Sequence, residues 1–169
     1  ITSSAVIEIE ESWRGNYWYD KGSAWVEDNI GRGGSLNSKA GGSGKEMRLA
    51  AVNFNFPLIT NYDRLSLKYG EYGGSLNISI NGGFRYFDNF VDIDGETIGN
   101  TSVTAIDNGT PGQSTGELTV AGTISSFKIG GAELYLDDIN FIPEPGTVLL
   151  VGLGGQAVMR KRKRAERQM

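Results

Sequence analysis

The sequence predicts an all-β domain, an antiparallel sandwich or barrel, and three observations carry that prediction. Hydrophobic residues alternate with polar or small ones at a period of two through most of residues 1–142. Turn formers punctuate the alternation, with 25 glycines against 4 prolines and frequent Asn, Ser and Thr. No stretch of this body carries a helical period, and the turn signals recur about every 8–12 residues, which fits roughly eight to ten short strands. Residues 1–142 read as one domain and 143–169 as a tail of different composition.

Ala5, Ile7 and Ile9 alternate with Val6, Glu8 and Glu10 and open the series. Tyr17, Tyr19 and Trp25 mark a second strand region, and the glycine-rich stretch 31–44 reads as a long surface loop or a mobile arm. Met47, Leu49 and Ala51 share one phase, then Val52, Phe54 and Phe56 take the other, which predicts a bulge or bend at residues 50–51. Pro57 ends that strand. Leu65, Leu67 and Tyr69, a Gly73-Gly74 pair, and Leu76, Ile78 and Ile80 predict a hairpin. Phe84 and Tyr86 continue the alternation towards Val91, and Asp94-Gly95 is a turn pair before Thr97 and Ile98. A short β-branched strand at 103–106 and a loop at 107–113 precede Leu118, Val120 and Ile124. Phe127 and Ile129 lead to an expected turn at Gly130-Gly131. The body closes with LYLDDINF at 134–141, where Leu134 and Leu136 share a phase that Ile139 and Phe141 break. Either Tyr135, Asp137, Ile139 and Phe141 line one face, or a bulge sits at Asp137-Asp138.

Composition removes whole classes of chemistry. There is no cysteine, so disulfides and thiolate metal sites are excluded, and no histidine, so imidazole-based triads and metal sites are excluded. A domain of about 140 residues buries roughly two thirds of its unfolded surface and needs no such staple. Residues 160–169 hold six basic residues against Glu166, which leaves ten basic and nineteen acidic residues elsewhere, a net of −9 on the body. An acidic body repels phosphate backbones and argues against a nucleic-acid partner. The chain starts at Ile1 with no basic start and long apolar run ahead of the strands, so it reads as a processed or truncated product.

The tail carries three elements in order: Pro143-Glu144-Pro145, an apolar run at 146–159, and a basic end that includes Arg160, Lys161 and Arg162. Fourteen residues of helix span about 21 Å, against about 30 Å of bilayer hydrocarbon, so the run is a weak stop-transfer element that the basic cluster reinforces. This arrangement resembles the PEP-CTERM sorting signal of exported bacterial proteins. The resemblance implies a short helical apolar segment, transient tethering to the inner membrane of a Gram-negative cell, cutting near the motif by an exosortase-type enzyme, and delivery to the cell surface or matrix. Proteins of that class often accompany exopolysaccharide production.

The segment LYLDDINF resembles the last strand of carbohydrate-binding jelly-roll modules, which implies a jelly-roll sandwich with a structural calcium. By that resemblance Asp138 is the best ligand, with Asp137 and Glu8 or Glu10 as weaker ones; calcium needs only oxygen ligands. The plainer alternative is two solvent-facing aspartates that protect an edge strand. Trp13, Tyr17, Trp18, Tyr19 and Trp25 crowd into thirteen residues, and consecutive residues of one strand cannot all point inward. Exposed rings beside Asn, Asp and Arg suit sugar stacking; otherwise the rings fill a core end or cover a loop. Asp92, Asp94 and Glu96 lack the glycine and terminal acid that a calcium-binding helix-loop-helix needs. Their spacing resembles the paired acids of jelly-roll glycosidases, but Asp94-Gly95 reads first as a hairpin turn.

These readings converge on an exported, non-enzymatic surface or matrix protein that binds polysaccharide. The alternatives are a carboxylate-dependent glycoside hydrolase and a purely structural surface or adhesion protein.

Overall fold

Two antiparallel sheets send their apolar faces into one core. The computed structural model describes residues 8–10, 23–28, 39–56, 58, 60–73, 75–109 and 114–144. Twelve strands run through them: β1 (Glu8–Glu10), β2 (Ser23–Asp28), β3 (Lys45–Ala50), β4 (Val52–Phe56), β5 (Tyr62–Glu71), β6 (Leu76–Ile80), β7 (Gly83–Phe87), β8 (Thr97–Ile98), β9 (Thr101–Asp107), β10 (Ser114–Ile124), β11 (Phe127–Gly131) and β12 (Leu134–Pro143). One 3-10 turn, Phe90–Ile93, is the only helical element among the described residues. The five-stranded sheet has the order β1-β4-β11-β6-β7, and the seven-stranded sheet β2-β3-β12-β5-β10-β9-β8.

The predicted bend at 50–51 is where the chain changes sheets. Ala51 takes a left-handed φ of 55° between β3 and β4. Met47 and Leu49 on one side and Val52, Phe54 and Phe56 on the other thereby face the same core in opposite phases. The hairpin predicted around Gly73-Gly74 does not form, because β5 and β6 belong to different sheets. β5 pairs with β10 and β12, and β6 pairs with β11 and β7. The reversal carries the chain from one sheet to the other. Length explains why. β5 has ten residues, matched by β10 with eleven and β12 with ten, whereas β6 has five and would leave half of β5 without partners.

The expected Gly130-Gly131 turn is also corrected. Both glycines lie inside β11, and the reversal falls at Ala132 and Glu133. A Cβ on Gly130 would overlap the side-chain oxygen of Asn53, and one on Gly131 would sit 2.7 Å from Leu76 Cδ2. Close approach, not a turn, requires them. The bulge in β12 is present: its pairing with β5 shifts between Asp137 and Asn140, and Asp138 has a φ of 46°. The extra residue lets Leu134 and Leu136, then Ile139 and Phe141, pack on one core.

The β6–β7 hairpin turns on Asn81-Gly82, both at positive φ, as a primed two-residue turn requires. At one pole of the core Tyr69 stacks on Phe90 with ring centres 3.8 Å apart, and Phe87 meets Phe90 edge-on. At the other pole Phe56, Phe127, Phe141 and Tyr62 form a continuous aromatic cluster.

Candidate functional site

The outer face of the five-stranded sheet combines exposed rings with a polar floor. β7 is an edge strand, and Phe84 (45% exposed) and Tyr86 (48%) alternate along it. Register fixes their side. Phe87 and Arg85 sit opposite Leu76 and Ile78, which are buried, so Phe84 and Tyr86 share the outer phase with Ser79 and Asn77. Arg85 turns at the sheet edge to Glu96, donating from Nε over 2.8 Å. One cross-strand row runs Tyr86, Asn77, Gly130, Asn53; the next runs Phe84, Ser79, Lys128, Asn55. The hydroxyl of Tyr86 donates to Ser75 Oγ over 3.0 Å and so fixes the ring. Gly130 leaves room for the Asn53 amide to lie across the middle strand. The result is a pair of exposed rings beside the half-buried Ser79, Lys128 and Asn55, with Asn77 and Asn53 buried. Such a mixture suits a sugar, whose apolar face meets a ring while its hydroxyls meet polar groups.

A second constellation lies on the outer face of the seven-stranded sheet, under a strap formed by residues 39–44. Gly70 has no side chain, and the carbonyl of Lys39 occupies that space. Ala40 N donates to Glu46 Oε2 over 3.0 Å, and Gly42 packs against the Asp137 carboxylate. The strap therefore rests on Glu46 and Asp137, both buried. Burial, and then the charges of Glu46 and Glu133, push the Tyr72 phenol up, so it stays neutral at physiological pH.

The β12 bulge opens a cleft of about 330 Å³ bordered by Val26, Glu46, Met47, Asp137, Asp138 and Ile139. Asp137 is not a solvent-facing residue of an edge strand. It is 7% exposed, its Oδ1 accepts the N–H of Asp138 over 2.7 Å, and β12 runs between β3 and β5. Asp138 is half-exposed and pairs with Lys68 over 2.8 Å. Glu8 and Glu10 lie in β1, opposite Asn55 and Asn53, in the sheet that does not contain Asp137 and Asp138. Among the described residues no group of three or more Asp or Glu is arranged to hold a metal ion.

Of the aromatic candidates, Trp13, Tyr17, Trp18 and Tyr19 lie outside the described residues. Trp25 belongs to β2 and pairs with Arg48, in the sheet opposite Phe84 and Tyr86. Pro143 ends β12 opposite Tyr62 and Glu144 follows it, while Pro145, the apolar run and Arg160, Lys161 and Arg162 lie outside the described residues. No helix among the described residues is long and apolar enough to cross a membrane. Asp92 and Glu96 have separate structural partners: Asp92 Oδ2 accepts Asn89 N over 2.9 Å within the 3-10 turn, and Glu96 holds Arg85. Asp94 Oδ1 accepts Ala105 N over 2.9 Å, and Gly95 takes the positive φ of the expected turn.

The alternation of Phe84 and Tyr86 predicts a strand and does not mark them as a binding surface. The signal that marks them is Asn81-Gly82, which makes β7 the return strand of a tight hairpin, followed by aromatics alternating with an arginine. Scans of the whole chain against protein-family models, curated proteins and solved structures returned no match.

Proposed function

We propose that the chain is an exported, non-catalytic β-sandwich of jelly-roll type that binds polysaccharide at the outer face of its five-stranded sheet. Its C-terminal Pro-Glu-Pro, apolar and basic segments act as a sorting signal for an exosortase-type enzyme. The observation that carries the binding reading is the exposed Phe84–Tyr86 pair beside the half-buried row of Ser79, Lys128 and Asn55. Large exposed rings on a single-sided polar sheet are a liability for solubility unless something covers them.

Affinity electrophoresis in gels containing neutral and acidic polysaccharides tests it. The wild type is retarded by at least one polymer. Tyr86→Ala and Phe84→Ala each weaken that retardation about tenfold, the 1–2 kcal/mol typical of removing an interface anchor. Both variants keep thermal stability within about 0.5 kcal/mol of wild type, as surface substitutions do. Unchanged mobility of the wild type in every gel removes the proposal. Mass spectrometry of the protein recovered from its host tests the tail, with the mature C-terminus expected near Pro143-Glu144-Pro145. Calorimetry with calcium is the companion measurement: heat and a raised Tm that Asp138→Asn abolishes support a calcium site at the β12 bulge, and no heat with no shift in Tm removes it.

A further inference from the structure

The strap delivers one cation to a defined place. The Lys39 carbonyl fills the space left by Gly70 and accepts the Tyr72 hydroxyl over 3.3 Å. Its ammonium then reaches the Tyr135 hydroxyl, donating over 2.7 Å, and stands 4.4 Å from the Tyr135 ring centre and 5.5 Å from that of Tyr72. Arg48 lies 5.3 Å from the same Tyr135 ring. Of the neighbouring carboxylates, Glu133 shares the Tyr135 hydroxyl with this ammonium and Glu46 holds the strap. Glu133 Oε1 accepts both Arg48 over 3.0 Å and the Tyr135 hydroxyl over 3.1 Å, and Glu46 Oε2 holds the strap backbone. Lys39 makes no ion pair among the described residues. An ammonium has three donors, and Tyr135 accepts one of them. The hydrogen bond from its ammonium to Tyr135 already restricts the side chain and so removes part of the rotamer entropy that an exposed lysine loses on binding.

We propose that Lys39, with Arg48 near the same Tyr135 ring and the half-buried Tyr72 ring as a neighbour, is a subsite for the carboxylate of an acidic sugar. This deepens the polysaccharide reading and rests on it: the polymer bound is one that contains uronic acid. The subsite and the Phe84–Tyr86 platform belong to different sheets, so each can be removed without touching the other.

The test uses the full chain, with Lys39→Gln to remove the charge and Lys39→Arg to keep it. Sodium glucuronate is titrated while the Tyr72 and Tyr135 ring resonances are followed by NMR, with glucose and sodium sulfate at matched ionic strength as the other arms. The expected result is saturable movement of those resonances by glucuronate at millimolar concentration, retained in Lys39→Arg and lost in Lys39→Gln, with no response to glucose. Absence of a response in the wild type overturns the proposal. An equal response to sulfate overturns the sugar-acid class and leaves a general anion site. In polyglucuronate gels Lys39→Gln migrates at least tenfold less retarded than wild type, and in gels of the carboxyl-reduced polymer the two migrate alike. Equal retardation of wild type and Lys39→Gln by polyglucuronate sinks this subsite alone, whereas a wild type that no polymer retards sinks the platform reading.

Discussion

Phe127→Ala lowers the free energy of unfolding by about 3–5 kcal/mol, the range for deleting a fully buried aromatic ring. Phe127 is 0% exposed and begins β11, paired on one side with Phe56 and on the other with Ile80. Its ring centre lies 5.6 Å from that of Phe56 and 6.4 Å from that of Phe141, which belongs to the opposite sheet. The ring therefore joins the two layers. Because the backbone on both sides is held in ladders, the walls cannot collapse into the space, and the cavity cost adds to the lost transfer energy. Chemical denaturation with an unchanged m-value is the measurement. Since small domains are stable by only about 5–15 kcal/mol, this single change removes a large share of the total. A loss below about 1 kcal/mol would show that Phe56 and Phe141 close over the gap, and the aromatic cluster would then not be the joint between the sheets.

Asn81→Gly costs about 2–3 kcal/mol, and Asn81→Ala about 1 kcal/mol more, because alanine adds the strain of a left-handed residue to the loss of the side chain. Asn81 has a φ of 50° at the β6–β7 turn, where glycine is tolerated and alanine is not. Its Oδ1 accepts Ser125 N over 2.8 Å, Ser125 Oγ over 2.9 Å and Ser126 N over 3.2 Å. Its Nδ2 donates to Gly99 O over 3.0 Å and Thr123 O over 2.7 Å. One amide thus ties three connections together: the β6–β7 turn, the β8–β9 turn and the β10–β11 turn. Comparing the glycine and alanine variants by thermal unfolding separates the hydrogen bonds from the backbone strain. Wild-type stability in Asn81→Gly would mean that water replaces all five bonds without loss.

Strand positions were legible because burial imposes a phase, and residues such as Leu65, Leu67 and Tyr69 can satisfy it in only one way. The β12 bulge was legible for the same reason: Leu136 and Ile139 cannot both reach a core along a regular strand. Sheet membership was not legible. Gly73-Gly74 announces that the chain reverses, but a hairpin and a crossing between sheets use the same residues. Gly130 and Gly131 misled because a glycine that admits the Asn53 side chain looks identical to one that makes a turn. The binding surface was hidden for a related reason. Phe84 and Tyr86 have the alternation of core residues, and only the register against Leu76 and Ile78 turns them outward. In LYLDDINF the sequence marked Asp137 and Asp138 together, yet the bulge buries one and leaves the other paired with Lys68 at the surface.

The position of β12 also sets a clock. The last strand of the body fills the slot between β3 and β5, pairing with segments that begin near residues 47 and 62. Until residue 143 has been made, the larger sheet exists as two pieces with raw edges along both. From the end of β5 at Glu71 to Pro143, at about 5–20 residues per second, that interval lasts roughly 4–14 s. Contacts between residues so far apart in the chain also close slowly once the chain is complete. The seven-stranded sheet is therefore completed only after β12 has been made. A product that stops short of Leu134 keeps β3 and β5 as sticky edges and is destined for aggregation or degradation.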